Sequence, residues 1–145
     1  MNTPDVPDKT GSGFSAAWPF GLFAALWAGA LGVILGWGEY FLTGDGFWQI
    51  TLIMTTSALV AGTLAYMACG GDRSLVRASL AGALTPFIAV VLGSAIIAWG
   101  AMPFMALTGL AVVALPLCLP SALLAFLYEG ARRRLLVRWG QGNNG

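Results

Sequence analysis

Six acidic side chains, two cysteines, three tyrosines and one lysine are what this 145-residue chain offers for acid–base or metal chemistry, and histidine is absent. The missing imidazole removes the commonest general base and a frequent metal and haem ligand. Cys69 and Cys118 fall short of a four-ligand zinc site. On the helices derived below they differ in depth by on the order of 10 Å, too far for a disulfide, so both read as small packing residues. No Gly-rich phosphate loop and no nucleophile–base pair is visible. Two carboxylates come closest to a functional reading. Glu39, in "GWGEYF", reads as a solvated boundary residue between Trp37 and Tyr40, with a substrate or ion contact as the alternative. Glu129 precedes Arg132 and Arg133 by three and four residues, the spacing of a surface helical pair worth about 0.2–0.5 kcal/mol. Enzymatic activity, a cofactor, a metal and a nucleic-acid partner are therefore not expected.

The elements that carry these residues follow from where charge is missing. Hydrophobic residues make up 58% of the chain and charged ones only 9%, against about a quarter charged in ordinary soluble domains. No charged side chain occurs between Lys9 and Glu39, between Asp45 and Asp72, or between Arg77 and Glu129. A spanning helix needs roughly 20 mostly apolar residues. The first two gaps hold one span each and the third holds two, separated by the glycine and proline of "GAMPF". The expected spans are residues 17–37, 48–69, 78–99 and 105–128. A soluble helical core would give each helix one polar face, and these have none. The polar N-terminal segment does not fit a secretory signal. Residues 1–13 and 140–145 are expected to be flexible tails around a four-helix domain, 14–139.

Four spans put all seven basic residues on one side: Lys9, Arg73, Arg77, Arg132, Arg133, Arg134 and Arg138. The positive-inside rule then places both termini in the cytoplasm, with the chain in the cell membrane. Trp18 and Trp139 fall at one boundary, and Trp37, Trp48 and Trp99 at the other, as interfacial anchors do. Only Trp27 lies deep. The segment carrying Arg132, Arg133, Arg134 and Arg138 reads as a stop-transfer and topology signal, with contact to an anionic leaflet as the alternative.

Each span carries small residues at helical spacing. Candidate packing positions are Gly29, Gly32 and Gly36 in the first, Ala58 and Gly62 in the second, and Gly82 and Gly93 in the third. Close backbone approach at such residues drives association where hydrophobicity cannot. Pro86, Pro116 and Pro120 are expected to kink the last two helices. "SALVAGTLAYMACGGDRSLVR" and "SALLAFLYEGARRRLLVR" share the order of their landmarks, which suggests two tandem parallel hairpin repeats. The chain thus reads as an all-α integral membrane protein, four transmembrane helices in a small-residue-packed bundle. Its expected role is that of a non-catalytic accessory or assembly subunit of a larger membrane complex. A small oligomeric transporter or channel is the alternative. The expected partners are the lipid bilayer and either a membrane protein or further copies of the chain.

Overall fold

The computed structural model describes residues 10–38, 45–71, 74–97 and 107–142, and they are all helical apart from short turns. Helix α1 spans Thr10–Gly38, α2 Asp45–Cys69, α3 Leu75–Ile97 and α4 Leu115–Gly142, the last entered through a π-helical turn at Leu110–Ala114. Four stretches within them are long and apolar enough to cross a membrane: Phe14–Ile34, Thr51–Cys69, Leu75–Ile96 and Leu107–Leu136. Glu39, Trp99 and the turn at 100–104 lie outside the described residues, as do the surroundings of Gly36, Trp37, Trp48 and Trp139.

The helix ends differ from the sequence-based spans in two places. Helix α1 starts at Thr10 and passes through Pro19, so part of the expected N-terminal tail is helical. The chain stays helical through the arginines to Gly142, well past the expected boundary at 128. The expected distortion near Pro116 takes a definite form. Proline lacks a donor and crowds the carbonyl four residues back, and at the residue just before it Leu115 N–H donates to Leu110 O, five residues back. A widened π turn is a recognised way for a helix to absorb such a gap.

Consecutive helices pack as antiparallel neighbours, α1 on α2, α2 on α3 and α3 on α4, whereas α1 and α4 are not packed along their length. The core is built largely of alanine: Ala16, Ala17, Ala65, Ala78, Ala81 and Ala125 surround Phe20 and Tyr66. A second cluster holds Ala58, Ala61 and Ala89. Several glycines sit where a side chain has no room. A Cβ at Gly62 would lie 2.8 Å from Ala24 Cβ, and one at Gly21 would meet Thr63 Oγ1 and, at 2.8 Å, Leu59 O. At Gly82 it would run into Ala125 Cβ and Ser121 O, and at Gly93 it would come within 2.9 Å of Met54 Sδ. Gly32 and Gly29 are looser, 3.2 Å from Thr51 Cγ2 and 3.5 Å from Thr55 Oγ1. Ser79 Oγ adds a hydrogen bond to Ala122 O across α3 and α4, 3.2 Å.

Candidate functional site: a buried carboxylate clamp beside an apolar cavity

Local signals at the end of α2 fix the first residue of the site. Gly70 has φ 61°, the left-handed conformation that ends helices at glycine. Gly70 N–H donates to Met67 O (3.2 Å) and Gly71 N–H to Tyr66 O (3.0 Å), the paired bonds of a Schellman cap. Gly71 also makes room for the Tyr66 ring, since a Cβ there would stand 2.6 Å from Tyr66 Cδ2. Ser74 then starts α3, its Oγ accepting from Arg77 N–H at 3.1 Å, as an N-cap does. The cap at Gly70–Gly71 and the start of α3 at Ser74 thus hold Tyr66 at the bundle end where α3 begins.

The Tyr66 hydroxyl donates to Glu129 Oε2 at 2.8 Å. Arg132 Nη1 donates to Tyr66 Oη at 2.9 Å and to Glu129 Oε2 at 3.0 Å. Arg133 Nε donates to Glu129 Oε1 at 2.9 Å. Both oxygens of the carboxylate are therefore met, one by a phenol and a guanidinium and the other by a second guanidinium. Glu129 and Tyr66 are each 1% exposed, while the two arginine side chains stay 28% and 39% exposed. The expected i,i+3 and i,i+4 pairs form, but the carboxylate is not at the surface. Helix α4 turns it inward onto α2, which corrects the reading of Glu129 as one half of a surface pair. Burying a carboxylate is costly unless it is fully paired, and the geometry is that of a clamp between α2 and α4.

Aromatic rings close this end of the gap between α1 and α4. Phe20 lies 4.7 Å from Tyr66 and 5.8 Å edge-on from Tyr128, and Phe23 stacks on Tyr128 at 4.8 Å. Beyond them is a cavity of about 210 Å³ with an almost wholly carbon lining. Helix α1, the π turn and α4 form its walls with Trp27, Leu31, Val113, Leu117 and Leu124; α2 and α3 form its floor with Met54, Ala58, Pro86 and Val90. Thr85 lines it too, but its hydroxyl donates to Ala81 O within its own helix. Trp27 Nε1 is buried without a hydrogen-bond partner, as is Ser57 Oγ. A polar atom left so costs roughly 1–3 kcal/mol.

The sequence-derived positions divide accordingly. Ala58 and Gly82 line the cavity, with Gly32 at its edge on α1. Gly62 faces α1, Gly93 faces α2, and Gly29 faces the Thr55 side of α2. Arg132 and Arg133 turn inward to Glu129, whereas Arg134 and Arg138 are exposed. All the described arginines, Arg77 included, gather at the Tyr66 end. Tyr66, Trp27 and Gly21 were not among the candidates, and Glu129 was read only as one half of a surface pair. The available signal for Glu129 was a lone carboxylate closing a long uncharged stretch, flanked by tyrosine and followed by three arginines. Among the described residues no group of acidic or sulfur side chains could hold a metal ion. Comparison with protein-family models, curated proteins and solved structures finds no match.

Proposed function

We propose that the chain is a non-catalytic accessory or assembly subunit of a larger membrane complex, with four spans in the cell membrane and both termini in the cytoplasm. The observation that carries this reading is the unequal covering of the helices. Within the bundle the fourth span is only 11% buried, against 39% for each of the second and third. Its outward residues, among them Leu115, Leu119, Leu123 and Leu127, are large, apolar and uncovered. Such a face suits lipid or another membrane helix equally in hydrophobicity, and α4 is the face left open for a partner. The gathered arginines at the Tyr66 end support the cytoplasmic assignment of that end.

Small-residue faces hold the bundle in this reading, supported by the close approaches at Gly21, Gly62, Gly82 and Gly93. The shared order of landmarks supports α1–α2 and α3–α4 as tandem parallel hairpins. Native purification in mild detergent with mass determination tests the function directly. A stoichiometric, larger membrane partner is the expected result. A homo-oligomer alone would replace this reading with a small transporter or channel, for which the cavity between α1 and α4 would be the natural starting point.

A further inference from the structure

The arginines that follow Glu129 do not form one patch. Arg132 and Arg133 turn inward to the carboxylate, which leaves Arg134 and Arg138 on the outside, both exposed. Among the described residues neither of these two forms an ion pair. Their place on the helix is specific. At about 100° per residue, Leu123, Leu127, Arg134 and Arg138 fall within roughly 60° of one another, on the side of α4 turned away from Glu129. Leu123 and Leu127 are exposed on that side. Gly130 lies there too, between leucine and arginine, and nothing stands within 4 Å of a Cβ at that position.

Depth follows from the clamp. Tyr66 meets Glu129, and α2 and α4 run in the same direction, each antiparallel to the α3 between them. The apolar stretch of α2 ends at Cys69, three residues beyond Tyr66, and the matching level on α4 is that of Arg132. Arg134 then lies roughly 3 Å past this boundary and Arg138 roughly 9 Å. A headgroup layer is about 5–7 Å deep. Arg134 stands within it, and Arg138 reaches back to it along a flexible alkyl stem.

We propose that this side of α4 holds one anionic phospholipid of the leaflet at the Tyr66 end, its phosphate paired to Arg134 and Arg138 and one acyl chain laid along Leu127 and Leu123. Charge complementarity and the order of the stripe carry the choice. Guanidinium stays charged and matches phosphate geometry, and the bare backbone at Gly130 leaves room for the glycerol region. A free phosphate would meet the arginines alone, whereas a phospholipid satisfies both parts of the stripe. A partner's carboxylates would have to be brought to a level where lipid phosphates already stand. The inference concerns the chain before any partner covers α4, so it does not rest on the assembly reading.

The test is native mass spectrometry of the detergent-purified full chain, titrated in parallel with dioleoyl phosphatidylglycerol and dioleoyl phosphatidylcholine. These lipids share their chains and differ in net charge. Phosphatidylglycerol should be retained roughly twentyfold more tightly, the effect of two arginines at an anionic headgroup. Arg134→Gln or Arg138→Gln should each lower that preference about fivefold, and the double variant should nearly abolish it. Arg77→Gln removes the same charge from an exposed position on α3 and should leave the preference unchanged. Glycerol phosphate, the headgroup without its chains, should not displace the lipid. Each variant is first checked for elution and helical content. If the double variant does not fold, the lipid contrast on the unaltered chain still decides. Equal retention of the two lipids would leave the arginines to an acidic partner and overturn the proposal. So would an equal loss in Arg77→Gln, the mark of a general charge effect, or displacement by glycerol phosphate, the mark of a site for soluble phosphate.

Discussion

Glu129→Gln should destabilise the bundle by about 2–4 kcal/mol, a large effect for one amide in place of one carboxylate. Breaking a buried pair by removing one partner costs about 3–5 kcal/mol. The lower range applies here because Arg132 and Arg133 remain partly exposed and can turn toward water. Tyr66→Phe should cost about 1–2 kcal/mol, since it removes the phenol that donates to Glu129 and accepts from Arg132. Arg133→Gln should cost under about 1 kcal/mol, as its guanidinium is the more exposed of the two. The ordering separates a buried clamp from a surface pair, for which all three changes would fall within a few tenths. Unfolding followed by circular dichroism in mixed micelles measures each variant. The double variant of Tyr66 and Glu129 should depart from additivity by about 1 kcal/mol or more. Strict additivity would mean that the two side chains do not meet.

Leucine at Gly62 or Gly82 should remove the folded species altogether. The first new atom at Gly62 would lie 2.8 Å from Ala24 Cβ, and at Gly82 it would strike Ser121 O, which is backbone and cannot swing aside. Overpacking typically costs about 1–3 kcal/mol where side chains can shift, so about 3 kcal/mol or more is expected where backbone blocks the way. Gly32→Leu should be milder, because its nearest neighbour is a threonine methyl at 3.2 Å. Leu31→Ala should be milder still. Gly130 is the internal control: nothing lies within 4 Å of a Cβ there, so Gly130→Ala should be neutral or stabilising through helix propensity. Size-exclusion profiles of the detergent-purified variants give the answer. Equal tolerance at Gly62, Gly82 and Gly130 would remove close packing from the account.

The four apolar helices were legible because membrane physics writes them in a coarse alphabet. Gaps between charges and the glycine–proline turn need no knowledge of tertiary contacts. The close approaches were only half legible. Small-residue spacing singled out Gly62 and Gly82, but not Gly21, whose role depends on Thr63 and Leu59 of the facing helix. Glu129 was misread for the same kind of reason. Its neighbours in sequence predict its two ion pairs, yet its burial is set by Tyr66, 63 residues away. Local spacing cannot reveal which face of α4 meets α2. The extra helical length also has a cause. The apolar stretch itself runs on to Leu136, and the i,i+3 and i,i+4 pairs of Glu129 with Arg132 and Arg133 add local support to the helix between. Trp27 was noted as deep, but that its N–H is buried without a partner depends on tertiary packing that no spacing reveals.

Everything proposed for this chain rests on four crossings with the arginine-bearing ends on one side. Cysteine accessibility on intact cells tests that most directly, with Cys69 and Cys118 first replaced by alanine and single cysteines introduced as Asn2→Cys, Asp45→Cys and Asn144→Cys. Asp45→Cys should react with a membrane-impermeant maleimide, while Asn2→Cys and Asn144→Cys should react only after permeabilisation. Labelling of Asn144→Cys on intact cells would contradict the arrangement, and with it the cytoplasmic position of the clamp.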